Sequence, residues 1–172
     1  GTTLKGTITS DVTLTAGSTY KLSGEYIVED GATLNIEAGV KIISIYDDIV
    51  DYILVKQGGK INAVGTSSAP IVMTSEKEEP GAWGGIHICG KAHTNAEGGK
   101  GSSEIGGATY GGNDDADNSG TLKYVRVEYS GYAFDSEHEA NGITFYGVGN
   151  GTTVEYCQAY KGSDDGFEFF GG

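Results

Sequence analysis

Short apolar runs alternate with polar residues along the chain and are broken by clusters of Gly, Asn, Asp and Ser. In Tyr26-Ile27-Val28-Glu29-Asp30-Gly31-Ala32-Thr33-Leu34-Asn35-Ile36, apolar positions recur every second residue on either side of a Gly turn. That is the period of a strand with one face inward. Helical periodicity is nearly absent, so the pattern predicts an all-β fold. The same pattern returns as Ile53-Leu54-Val55-Lys56-Gln57-Gly58-Gly59-Lys60-Ile61-Asn62-Ala63, displaced by 27 residues, which reads as one coil.

Two further pairs extend the repeat. Leu122–Tyr129 matches Thr153–Tyr160 at an offset near 31, and Gly142-Ile143-Thr144-Phe145 matches Gly166-Phe167-Glu168-Phe169 at 24. Unequal offsets imply turns of different length between stacked strands. An antiparallel sandwich is the rival fold, but it does not require the same turn to recur one period later. In a parallel β-helix each strand pairs with the coil above and needs no crossover helix. The expectation is therefore one right-handed parallel β-helix domain over 1–172, with room for about five to seven coils of roughly 20–30 residues. An N-terminal cap is compatible with the pattern. Residues 91–120 carry Gly98-Gly99, Gly106-Gly107 and Gly111-Gly112 with few apolar positions, and read as a long Gly/Asp-rich loop leaving the solenoid.

Composition narrows the function. The 24 acidic residues against 11 basic ones give a net charge of −13, which repels nucleic acid and anionic lipid and favours cations or neutral glycans. No apolar run reaches the ~18–20 residues of a membrane span. Thirty glycines against two prolines call for many tight corners rather than a proline-rich linker. Cys89 and Cys157 have neither CxxC nor His spacing for zinc; a disulfide between them stays open beside the plainer reading of two small buried hydrophobes.

The combination of Gly31-Ala32-Thr33-Leu34-Asn35-Ile36-Glu37-Ala38-Gly39, Trp83-Gly84-Gly85-Ile86, Tyr110-Gly111-Gly112-Asn113-Asp114-Asp115 and Asp164-Asp165-Gly166-Phe167-Glu168-Phe169-Phe170-Gly171-Gly172 resembles a family of secreted or cell-surface bacterial β-helix proteins, lipoprotein-like and with a pectate-lyase-like solenoid. The resemblance covers nearly the whole chain and implies an extracytoplasmic location.

Several residue sets are candidates for chemistry. Asp115, Asp117 and Ser119, followed by Gly120, resemble the first half of a calcium loop and make Ca²⁺ the cofactor to consider, although Arg126 stands where the closing bidentate Glu of an EF-hand is expected. A solvated turn in which Asp and Asn side chains bond their own backbone is the competing account. Asp164, Asp165 and Glu168 are the catalytic candidates, because paired carboxylates supply general acid and base in glycoside hydrolysis. A single arginine, Arg126, argues against an acidic-sugar enzyme. His87, His93 and His138 are scattered, and the closeness of His87 to Cys89 on one strand face reads as coincidence. Tyr124, Tyr129, Tyr156 and Tyr160 occupy matching positions of the repeated strands and form the candidate binding ladder, since tyrosine offers apolar area with a polar tip. The leading expectation is a non-enzymatic surface module binding a glycan or protein partner along a solenoid face. A polysaccharide lyase or glycoside hydrolase, and a structural spacer, are the alternatives.

Overall fold

The computed structural model describes residues 3–45, 49–94, 101–103, 108–132, 142–162 and 167–170. Asp164, Asp165 and His138 lie outside the described residues. Every described element is a strand, and three parallel stacks wind around one core.

The first stack pairs β1 (Thr3–Ile8) with β3 (Thr19–Val28) and continues through β5 (Lys41–Ser44), β8 (Ile71–Ser75), β13 (Val125–Glu128) and β16 (Gln158–Tyr160). The second begins on the later half of β3 and runs through β6 (Tyr52–Val55), β9 (Ile86–Cys89), β14 (Ile143–Tyr146) and β17 (Phe167–Phe170). The third stacks β2 (Val12–Leu14), β4 (Thr33–Ile36), β7 (Lys60–Val64), β12 (Gly120–Lys123) and β15 (Thr153–Glu155). β3 serves two faces because it runs unbroken through what becomes a corner in later coils. This is the parallel β-helix that the repeats predict.

Alternation places the core. On the second face Tyr26, Ile53, Ile86, Ile143 and Phe167 align as one inward column, and Val28, Val55, Ile88 and Phe145 as the next. On the third face Leu14, Ile36 and Ala63 align, beside Leu34, Ile61 and Gly120. Apart from Gly120, and with Phe167 packed against its edge, these residues belong to one continuous buried cluster that also holds Trp83. Like side chains at each rung make packing repeat from coil to coil, so each coil buries its apolar face on its neighbours.

Registers confirm two offsets and revise one. Thr33 faces Lys60 at 27 residues, and Ile143 faces Phe167 at 24. Between the later coils the offset is 32, since Leu122 faces Val154 and Arg126 faces Gln158. The offset near 31 is off by one, and a slip of one residue turns every side chain to the other face.

The described parts of 91–120 leave the parallel ladder and return over it. β10 (Gly101–Ser102) and β11 (Thr109–Tyr110) form a short antiparallel pair. Ala108 and Tyr110 pack with Tyr52, Leu54, Cys89 and Tyr146 in a second cluster outside the main core. The outer face of β6, β9 and β14 is thereby covered, and all four residues of each strand are buried.

Candidate functional site

The register explains how the four tyrosines sit. Tyr124 and Tyr156 are true equivalents at the corner between the third and first faces, with φ of 51° and 54°, and their rings stack at 4.8 Å with planes 15° apart. Tyr129 and Tyr160 are not equivalents. Tyr160 faces Glu128 at the end of the strand, while the corner conformation of Tyr129 (φ 60°) is taken one coil later by Lys161 (φ 50°). The matching positions expected of all four therefore hold for one pair, and the offset rings of Tyr129 and Tyr160 meet edge to face at 6.4 Å.

The two pairs flank β13 and β16, about 16 Å apart along the strand direction at ~3.3 Å per residue. Between them the Arg126 guanidinium lies 4.1 Å from the centre of the Tyr160 ring, and Lys161 Nζ lies 5.3 Å from the same ring. Arg126 Nε also sits 2.7 Å from Glu128 Oε2, an ion-pair contact without hydrogen-bond alignment. Lys123 Nζ is 5.8 Å from the Tyr156 ring and 3.8 Å from Glu155. Tyr156 is 68% exposed, whereas the lone tryptophan, Trp83, is buried with Nε1 donating to the Glu128 carbonyl at 2.6 Å. Tyr156 and Tyr160 are thus backed by neighbouring cations while Tyr129 packs against the core, and the strip between the two pairs is about three sugar-sized steps long.

Asp115, Asp117 and Ser119 come together as a braced turn. Asp117 Oδ2 accepts the Ser119 hydroxyl at 2.8 Å, and its Oδ1 accepts the Lys91 N–H at 3.1 Å. Asp115 Oδ1 accepts the His93 N–H at 2.9 Å, and Asn118 Oδ1 accepts the Gly120 N–H at 2.8 Å. Among the described residues no three His, Cys, Asp or Glu side chains converge as a metal-holding group. The turn backs an open groove of about 490 Å³ lined by Gln57, Lys91, Gly111, Gly112, Asn113 and Asp114. Gln57 Nε2 pins that wall by donating to the Gly90 and Gly111 carbonyls at 2.8 and 2.7 Å.

Of the catalytic candidates, Glu168 is described. It stands half-buried on β17, in the outward column that continues through Thr144 to His87. That column holds groups whose environment sequence reasoning missed. His87 is fully buried; its Nε2 meets the Gly84 carbonyl at 2.9 Å and its Nδ1 the Tyr146 hydroxyl at 3.1 Å. Because a carbonyl only accepts, Nε2 carries the proton and Nδ1 accepts from Tyr146. Burial lowers the His87 pKa from 6.5 to about 4, against a smaller upward pull from the Gly84 carbonyl. Tyr52 donates to Glu25 through a short hydrogen bond; burial first, and this carboxylate second, raise its pKa. Cys89 and Cys157 are both free thiols. Burial pushes Cys89 up to about 12 despite a hydrogen bond with Ser103, and raises Cys157 as well. The signal for this covered face is the absence of alternation in Tyr52-Ile53-Leu54-Val55, Ile86-His87-Ile88-Cys89 and Ile143-Thr144-Phe145-Tyr146, a pattern that marks strands buried on both sides.

Parallel strands stacked on three faces around one apolar interior define a β-helix, with its surface chemistry at the corners and on outward columns. A family model described as a pectate-lyase-like beta helix domain matches residues 6–172, and the chain belongs to that family. No curated protein and no solved structure matches it. Among the described residues no helix is long and apolar enough to cross a membrane.

Proposed function

We propose that this chain is a glycan-binding β-helix module acting outside the cytoplasm, with Tyr124, Tyr129, Tyr156, Tyr160 and Arg126 as its contact surface. One observation carries the reading. A chain with 30 glycines, which uses Gly31, Gly39 and Gly58 at other left-handed corners, places tyrosine at three such corners on this surface. A left-handed non-glycine residue costs about 1–2 kcal/mol. Tyr156, at 68% exposure, recovers little of that cost through burial. Strain retained at an exposed aromatic points to recognition, and the Tyr156 ring, with Lys123 beside it, offers a face on which a sugar ring can stack.

The test is a glycan array probed with wild type and with Tyr156→Gly. Glycine relieves the strained corner, so folding stability stays within about 1 kcal/mol while binding falls at least about tenfold. Equal binding by both proteins to every glycan that the wild type retains would refute the reading.

A catalytic role would rest on Glu168 with Asp164 and Asp165, and the latter two lie outside the described residues. A structural spacer would explain the solenoid but not the strained tyrosines. For Asp115, Asp117 and Ser119 we read the turn as a brace for the excursion. Each Asp117 oxygen accepts one protein donor, which accounts for the carboxylate's position without an ion.

A further inference from the structure

We propose a second binding site on the third face: a polar ladder that holds one neutral, extended polysaccharide chain lying parallel to the solenoid axis. Thr13, Asn35, Asn62, Thr121 and Thr153 stand in register on five successive strands as a single outward column. Their inward neighbours Leu14, Ile36, Ala63 and Leu122 point into the core, so the pleat holds the column to the surface.

The hydrogen-bonding capacity of this column is largely unspent. Asn62 Nδ2 reaches Asn35 Oδ1 at 3.5 Å, a long contact, and the three threonine hydroxyls engage no other group among the described residues. Each amide has further donor and acceptor sites, and each hydroxyl can do both. An open groove of about 500 Å³ follows the lower rungs, lined by Thr13, Asn35, Ile36, Glu37, Asn62 and Val64. That volume lies within the ~300–1,000 Å³ of small-ligand sites.

Spacing and charge choose the occupant. Parallel strands stack about 4.8 Å apart, so the five rungs span about 19 Å. One rung is close to the length of one pyranose unit in an extended β-1,4-linked chain, whose alternate sugars are turned by about half a revolution, so every second rung meets the same sugar edge. A helically coiled α-linked glucan does not keep that step. The flanking columns carry Lys60 and Lys123 against Glu37 and Glu155, with Lys123 and Glu155 paired at 3.8 Å. Mixed signs give an anionic polymer no advantage and suit a neutral one. Val64, 45% exposed beside the groove, offers an apolar edge for a sugar face.

The experiment is calorimetric titration of the full chain with cellohexaose and, separately, maltohexaose. Wild type is expected to bind cellohexaose at least about tenfold more tightly than maltohexaose, and Asn35→Ala/Asn62→Ala to lose about tenfold with an unchanged melting temperature. Asn62→Lys places a long cation in the groove without touching the core and is expected to abolish binding. Tyr156→Gly is expected to bind cellohexaose as wild type does, because the groove along Thr13, Asn35 and Asn62 lies two rungs from the coil that carries Tyr156. Equal affinity for the two hexasaccharides, no binding of either, or full affinity in Asn62→Lys would overturn the inference. Loss of cellohexaose binding in Tyr156→Gly with retention in Asn62→Lys would overturn it too, and would assign the sugar to the tyrosine surface.

Discussion

Acid is expected to destabilise this fold through His87. In the native state the ring is neutral, fully buried and bonded at both nitrogens, with a pKa of about 4 against 6.5 for an ordinary histidine. Because the folded value is the lower one, the unfolded chain takes up the proton first as pH falls. The contribution to stability is complete above about 6.5, declines through the window from 6.5 to 4, and levels off below it. That gap, at about 1.4 kcal/mol per pH unit, amounts to about 3 kcal/mol. For a chain of this size the loss corresponds to roughly 5–10 °C in melting temperature. Carboxylates titrate nearby in pH, so the readout is a difference: urea unfolding of wild type and His87→Gln at pH 7.5, 6, 5 and 4. Glutamine is expected to cost stability at pH 7.5 and to close the gap as pH falls, because it has no proton to gain. The groups facing His87 are Tyr52, edge-on at 6.4 Å, and Tyr146, stacked at 5.9 Å. A gap between the two proteins that stays constant from pH 7.5 to 4 would refute the reasoning.

Other consequences follow from single positions. At Gly120 a Cβ would overlap the Ile61 carbonyl oxygen, and φ is +123°, so Gly120→Ala is expected to lose more than about 3 kcal/mol in denaturant titration. At Gly31, φ is +85° but no atom lies within 4 Å of that point, so Gly31→Ala should cost only about 1 kcal/mol. Asp117→Ala removes the acceptor for the Lys91 amide and the Ser119 hydroxyl, and is expected to cost about 1–3 kcal/mol at any calcium concentration. A wild-type melting temperature that rises with millimolar calcium and falls back with chelator would instead favour an ion in that turn. Thiol labelling of the native protein is expected to reach Cys157 slowly and Cys89 only on unfolding, since Cys89 is buried with its pKa near 12.

The repeat was legible where each coil carries the same turn. Gly31 and Gly58 head equivalent strands, and the 27-residue offset they mark is the true register. Between the later coils the marker was tyrosine, and Tyr129 with Tyr160 suggested a spacing one residue short. Nothing in side-chain type says that Lys161, not Tyr160, takes the left-handed corner. The inward columns could be read from alternation alone. The cover over β6, β9 and β14 could not be placed, because a glycine-rich stretch does not announce the surface it returns to. Its anchor, Tyr110 packed 5.1 Å from Tyr146, is a contact between residues with no common period. The isolation of His87 along the chain concealed its partner in the same way, since β14 with Tyr146 comes five strands after β9 in sequence order yet is adjacent to it in the stack. The polar ladder was present as Asn35 and Asn62 in the first repeat, and only the register of β12 and β15 extends it to five rungs.

The most direct test of the central claim is a residue-resolved footprint of a glycan on the folded chain. Amide and aromatic resonances would be followed by NMR while the array ligand most weakened by Tyr156→Gly is titrated in. The account predicts saturable shifts centred on Tyr124, Arg126, Tyr156 and Tyr160, with the covered face around His87 unmoved. Shifts centred instead on Gln57, Lys91 and Asn113, or on Glu168, would place recognition elsewhere and contradict it.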